Sequence, residues 1–348
     1  MNKKKIAILI IFILILSIGA GVWYFLKNGL IISRMKDRVA IKETNTSHGG
    51  CLETGEVAEY EIFKKLEKVS VAKIIVRNID THHEISSFEI ELPIPDHYHP
   101  VELHKCHIYT TKSFGYDYKS KRALPDYRLE LWGYQYDGDG GSVVYLSGPV
   151  SGSGYGTDFR VDPSETYVVL EKSYLGNPDY ALVIKSLSTK EDALVLPLKN
   201  IIDRYPSLGG SFGMNQWTKD GRYFWANIFD GANVLAFLRI EKGTWKYDVF
   251  PAPKGTMGGD ALNAELGYIT YDTGASWTGD VEFDKKIKED WRAQGKKVSF
   301  YVYDLPTKSE KLLATIDDPI WHFQPQWISD HELQYTLPDG EKKIFRVE

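Results

Sequence analysis

The sequence predicts an all-β fold built from repeated antiparallel units, and three observations predict it. The first is a strand–polar turn–strand signature that occurs three times. Ile79-Asp80-Thr81-His82-His83-Glu84, Leu187-Ser188-Thr189-Lys190-Glu191-Asp192 and Leu305-Pro306-Thr307-Lys308-Ser309-Glu310 each follow one apolar run and precede another. The copies begin 108 and 118 residues apart. Two units of about 55 residues fill each interval, near the roughly 40–50 residues, plus loops, of radially repeated sheet folds. The second observation is Trp217-Thr218-Lys219-Asp220-Gly221-Arg222-Tyr223-Phe224-Trp225, an aromatic, a tight Asp-Gly turn and a strand of residues that fit a pleated, buried surface. Weaker copies run from Asp162 to Leu170 and from Trp327 to Tyr335. The third is a pair of hairpins in the intervals, Leu129 to Leu146 turning at Asp137-Gly138-Asp139-Gly140, and Val234 to Phe250 turning at Lys242-Gly243.

The elements follow in chain order. Residues 1–5 form a basic tip, and an uninterrupted apolar run of 21 residues covers 6–26, about the length that spans a bilayer. Trp23 and Tyr24 stand near its outer end, where amphipathic rings favour the interface. The expectation is an uncleaved transmembrane signal anchor with the bulk of the chain extracytoplasmic, periplasmic or extracellular. The alternative is a secreted chain, cleaved near Ser17-Ile18-Gly19; the apolar run continues past that point. Lys3, Lys4 and Lys5 favour a cytoplasmic N-terminus, which Lys27, Arg34, Lys36 and Arg38 on the far side oppose. Residues 27–56 read as a polar tether, and 57–348 as one folded domain. Within it, Asp280 caps a helical insertion over 280–294 that stops at Gly295, with Phe283, Ile287 and Trp291 on one stripe. Gln326 to Val347 reads as three strands, with a hairpin at Pro338-Asp339-Gly340, and Glu56 to Leu92 is expected to close the circle beside it.

The turn at Trp217 to Trp225 resembles the blades of TolB-like (WD40-like) bacterial β-propellers, whose repeats carry a Trp-Ser-Pro-Asp-Gly-type turn. The match is partial at Asp162 to Leu170, where Glu165 stands in for the turn acid and no Trp precedes, and at Trp327 to Tyr335, where His331 stands in for Gly. The resemblance covers roughly 155–348. It implies a single β-propeller of six four-stranded blades, with five as the alternative, and implies nothing about activity, because this fold hosts many unrelated functions.

Composition narrows the function classes. The chain has 348 residues and a net charge of −5, with no basic run beyond its first residues, so no nucleic-acid partner is expected. Cys51 and Cys106 permit one disulfide or two free thiols. Six of the nine histidines lie between His82 and His107. His97, His99, His104 and His107 are the candidate metal ligands, but Pro100 interrupts them and no standard ligand spacing is met. Asp137 to Ser142 resembles a calcium loop but has Gly148 where the twelfth-position Glu belongs, so a hairpin turn is expected. Gly209-Gly210-Ser211-Phe212-Gly213 matches G-x-S-x-G without the strand–helix context of a nucleophile elbow, and Gly152-Ser153-Gly154-Tyr155-Gly156 reads as an inter-unit connection. The abundant aromatic residues are expected between blades.

The functional expectation is a binding or scaffold module for a protein or glycan of the cell envelope, with no cofactor and no catalytic residue assigned. The stripe of Phe283, Ile287 and Trp291 is expected to pack on its own domain; the alternative is that these residues, with Arg292, face outward and contact a partner. The alternative is a glycan hydrolase with funnel carboxylates drawn from Asp158, Asp162, Asp220, Asp260 and Asp330.

Overall fold

The computed structural model describes residues 38–40, 51–52, 56–65, 69–92, 101–117, 122–136, 138–147, 155–172, 180–205, 210–230, 233–253, 261–275 and 281–347. The anchor expected over 6–26 lies outside them. Among the described residues no helix is long and apolar enough to cross a membrane.

The described strands form six antiparallel sheets. Sheet one comprises β1 (Arg38–Ala40), β2 (Glu56–Lys65), β3 (Val69–Asn78) and β4 (Glu84–Leu92). Sheet two comprises β5 (Val101–Leu103), β6 (Ile108–Asp117), β7 (Arg122–Tyr134) and β8 (Gly140–Ser147). Sheet three comprises β9 (Tyr155–Val161), β10 (Tyr167–Lys172), β11 (Ala181–Ser186) and β12 (Asp192–Pro197). Sheet four comprises β13 (Ser211–Trp217), β14 (Tyr223–Asp230), β15 (Asn233–Glu241) and β16 (Tyr247–Pro251). Sheet five comprises β17 (Leu262–Asn263), β18 (Tyr268–Asp272), β19 (Val298–Asp304) and β20 (Ser309–Ile316). Sheet six comprises β21 (Gln326–Trp327), β22 (Glu332–Thr336) and β23 (Lys342–Arg346), three strands among the described residues rather than four. Strands neighbour one another in chain order in every sheet, a set of meanders consistent with a β-propeller. Two helices accompany them: α1 (Leu198–Arg204), which the sequence reading missed, and α2 (Val281–Ala293), which it expected.

The chain divides into two compact units. The first is built from described residues within Met1–His97, with Lys105–His107 and Gln135–Asp139; the second from those within Tyr98–His104, Ile108–Tyr134 and Gly140–Glu348. In the first, residues 27–56 are not only a tether: Arg38 pairs with Glu59 across β1 and β2, and Leu52 is buried. Cys51 and Cys106 form a disulfide, and the Leu52 N–H donates to the Lys105 carbonyl at 2.9 Å.

In the second unit each interior sheet is buried on both faces. Phe224, Ala226 and Ile228 of β14 join a cluster with Leu182, Ile184 and Leu196 of sheet three. Trp225, on the opposite face, packs with Ala264, Ile269 and Leu305 of sheet five. A strand covered on both sides has no solvent face to mark with polar residues, and β14 is accordingly apolar from Phe224 to Ala226. Val298, Phe300 and Val302 carry the same stacking on to Phe323, Leu333 and Tyr335. Among the described residues Phe224, Trp225, Phe300 and Phe323 fill spaces between sheets, as expected of the aromatic residues.

The hairpin turns explain the repeats. In four of them an N–H bonds the carbonyl four residues earlier: His82 to Asn78 at 2.9 Å, Lys190 to Ser186 at 3.0 Å, Trp245 to Glu241 at 2.8 Å and Lys308 to Asp304 at 2.8 Å. The closing residue has positive φ each time: 57° at His82, 66° at Lys190, 55° at Trp245 and 59° at Lys308. At the other turn family, Gly221 takes φ 68° and its Cα faces the Pro163 ring, which an added Cβ would meet at 3.3 Å. Glu165, with φ 54°, occupies the corresponding left-handed position in its own turn. It therefore replaces the glycine, not the turn acid as the sequence alignment had it.

Candidate functional site

The first strands of successive sheets in the second unit are tied side by side. Glu102 of β5 accepts the Val161 N–H of β9 at 2.7 Å. Arg160 of β9 donates through Nε to the Asn215 carbonyl of β13 at 2.7 Å, and the Trp217 indole N–H donates back to the Arg160 carbonyl at 3.3 Å. Farther along, the Trp327 indole N–H reaches the Ala261 carbonyl at 3.4 Å. Lys219, in the turn after β13, pairs with Asp330, in the turn after β21, although sheet five lies between them in sequence. Both turns meet at the turn after β17, where Glu265 accepts the Lys219 N–H and Asn263 donates to the Asp330 carbonyl.

That convergence builds a pocket of about 300 Å³ from three successive turns. Gln216, Trp217 and Lys219 line it from the end of β13, Leu262 to Glu265 from β17, and Trp327 to Asp330 from β21. Its base is rigid. Asn263 donates through Nδ2 to the Asp330 carbonyl at 2.7 Å and accepts the Glu265 and Leu266 N–H groups at 3.1 Å each. Glu265 Oε1 accepts the Lys219 N–H at 2.7 Å. The hydrogen bond with Asp330 holds the Lys219 ammonium above its ordinary range. The rim is open: Ile328 is 45% exposed, and Gln216 and Ser329 are exposed. The sequence singled out two of the three contributing turns, at Trp217 and Trp327. It missed Leu262 to Gly267, whose Asn263 does locally what Thr218 and Asp162 do in theirs: its side chain accepts the turn's N–H groups. The signal was an Asn followed four residues later by a positive-φ glycine, Gly267.

The other predicted residues fall elsewhere. His97, His99 and Asp260 lie outside the described residues. His104 Nε2 sits 3.3 Å from Glu102 Oε2, edge-on to Tyr109, and His107 adjoins the disulfide. Among the described residues no group of three or more His, Cys, Asp or Glu is placed to hold a metal ion. The calcium-like stretch is the turn between β7 and β8, with Gly138 at φ 95°. Ser211 opens strand β13, not a helix, so the G-x-S-x-G match is not a nucleophile elbow. Asp220 accepts the Thr218 hydroxyl at 2.6 Å and the Arg222 N–H at 2.9 Å, which lowers its pKa; it is a turn former, as is Asp162. On α2, Trp291 is half-buried against the cluster between sheets five and six, and Ile287 is half-buried. Phe283 is 52% exposed, and Arg292 is exposed.

One titrating cluster stands apart from the pocket. Glu171, beside the register shift between β10 and β9, accepts the Tyr180 hydroxyl at 3.3 Å, and that hydroxyl oxygen accepts the Phe212 N–H at 2.9 Å. Burial pushes the Glu171 pKa up from 4.5 to about 7; the Tyr180 hydrogen bond opposes the shift and the Asp158 charge adds to it. At this carboxyl the native state therefore holds more proton than the unfolded state between pH 4.5 and about 7, and its contribution to stability falls as pH rises through that window. Glu171→Gln is expected to stabilise the protein at pH 8–9 by about 1–3 kcal/mol and to change nothing below pH 4.5. Urea unfolding of both forms across that range measures it; parallel profiles would refute the assignment.

No family model and no curated protein matches the chain. Among solved structures, TolB from Acinetobacter baumannii is 11% identical, over 84% of this chain and 79% of that one, with a TM-score of 0.32. A protein described as a 6-phosphogluconolactonase from Bacteroides uniformis ATCC 8492 is 7% identical, over 84% and 78%, with a TM-score of 0.42. A prolyl endopeptidase is 11% identical with a TM-score of 0.48; the match covers 89% of this chain but 38% of that one. The resemblance to TolB-like propellers holds at the level of architecture, and likenesses this remote carry no argument about activity or ligand.

Proposed function

We propose that the protein is a membrane-anchored, extracytoplasmic binding module of propeller architecture, and that a protein or glycan of the cell envelope docks in the pocket at the inner turns of sheets four, five and six. The observation that carries this reading is the pocket itself. Three successive turns converge on it, their backbone groups are locked by Asn263 and Glu265, and exposed polar and apolar side chains share its rim. A rigid base under a mixed rim is the usual construction of a ligand site. The extracytoplasmic address is supported by the 21-residue apolar run at 6–26 and by the Cys51–Cys106 bridge, since disulfides persist in oxidising compartments.

Screening the full chain in detergent against a glycan array and a displayed peptide library identifies ligands, and Ser329→Trp then tests the site. Ser329 is exposed, so the substitution fills the pocket mouth without entering the core. A loss of at least about tenfold in affinity, some 1.4 kcal/mol, at unchanged Tm is expected. Undiminished binding of every ligand would place the site elsewhere.

A further inference from the structure

We infer that the pocket recognises a cationic side chain, the ammonium or guanidinium of a lysine or arginine presented by a polypeptide. The inference rests on the reading of this pocket as the ligand site. Its lining carries two carboxylates, Glu265 and Asp330, against one ammonium, Lys219. Each carboxylate spends one oxygen within the pocket. Glu265 Oε1 accepts the Lys219 N–H and Asp330 Oδ1 meets the Lys219 ammonium. Glu265 Oε2 and Asp330 Oδ2 have no hydrogen-bond partner among the described residues. The side chains of Lys219 and Asp330 are 72% and 43% exposed, so their pair is solvated and exchangeable. A second cation entering the pocket neutralises the excess charge of Glu265 and Asp330, and the half-buried Trp327 that shares the lining is a favourable kind of neighbour for it. Lys219 thus occupies part of the place a ligand cation would take.

The same geometry favours a polypeptide over a glycan. Sugar stacking needs an open aromatic platform, but Trp217 is only 8% exposed and Trp327 is half-buried, and a neutral glycan leaves the excess negative charge of the lining unmatched. Gln216 and Ser329 at the rim offer the paired donors and acceptors that suit main-chain amides.

The probes are Nα-acetyl-arginine methylamide, its neutral isostere Nα-acetyl-citrulline methylamide, and glucosamine, titrated into the full chain with Trp fluorescence as readout and Trp327→Phe as the control for site. The arginine probe is expected to bind at least tenfold more tightly than the citrulline probe. Glu265→Gln/Asp330→Asn removes that preference, and Lys219→Ala strengthens arginine binding severalfold by freeing Asp330. Equal binding of arginine and citrulline probes overturns the inference while leaving the pocket as a ligand site. A preference that survives the double substitution overturns it as well. Tighter binding of glucosamine than of the arginine probe, with the same dependence on the two carboxylates, replaces the polypeptide by an amino sugar. Absence of any Trp327-dependent response also overturns the inference, and the pocket reading is then judged by the Ser329→Trp variant against the screened ligands.

Discussion

Asp162→Ala is expected to destabilise the protein by about 3–5 kcal/mol, the range for removing one partner of a buried, hydrogen-bonded charge pair. The Asp162 side chain is fully buried and meets Lys242 Nζ at 2.6 Å. Its Oδ1 accepts the Thr166 and Tyr167 N–H groups at 2.7 and 2.6 Å, and its Oδ2 accepts the Ser164 N–H at 3.2 Å and the Ser164 hydroxyl. One carboxylate thus closes the β9–β10 turn and joins it to the β15–β16 turn of the next sheet. Alanine leaves three N–H groups and an ammonium with only 25% exposure to find new partners. Asp162→Asn keeps the shape and loses the charge, so an intermediate cost follows. Burial by itself would raise this carboxyl's pKa, but Lys242, Ser164 and the two backbone donors together bring it below the ordinary 3.8. The stability it contributes is therefore complete above that value and lost as pH falls through the lower native pKa. Urea unfolding at pH 7 and at pH 3 measures both effects. A cost under 1 kcal/mol at pH 7 would mean that the turn holds without its carboxylate.

Breaking the Cys51–Cys106 disulfide is expected to cost about 4 kcal/mol. The two cysteines are 55 residues apart, and the chain-entropy model gives roughly that figure for a loop of this length. The effect should be concentrated in the first unit, where both cysteines lie and whose described sheet has four strands. Hydrogen exchange with and without reductant, beside a Cys51→Ser/Cys106→Ser form, tests it. Reduction should accelerate exchange in β2 and β3 and leave β14 and β15 unchanged, and the doubly substituted protein should match the reduced one. Identical exchange in β2 and β3 in all three samples would show that the bridge constrains nothing.

The candidate site was half legible. Trp217 and Trp327 head two copies of one turn, and those turns line the pocket. That they face each other, with Leu262 to Glu265 between, was not legible, because Lys219 and Asp330 are 111 residues apart and nothing local encodes their pairing. Nor was the setting of His104 legible: Glu102 Oε2 lies 3.3 Å from its Nε2, but Arg160 and the Val161 N–H share that carboxylate once β9 packs beside β5. Asp162 and Asp158 looked alike in sequence. Burial and Lys242 make the first an inter-sheet staple, while the second adds its charge to the site of Glu171.

What the sequence by itself determined is what depends on short-range physics. Hairpin turns close within five residues, so His82, Lys190 and Lys308 disclosed their turns through neighbouring residues alone. The helix at 281–293 followed from its stripe and its glycine stop, and the three C-terminal strands from their spacing. The fourth turn of the hairpin family carries Trp245 at positive φ, a residue no local rule selects; its ring packs edge-on against Tyr167 of the preceding sheet at 4.9 Å. Only the tertiary structure decided that contact, the Cys51–Cys106 pairing, the raised pKa of Glu171 and the pocket. Each depends on groups brought together from distant parts of the chain, and the Glu171 shift also on the removal of water from around its carboxyl.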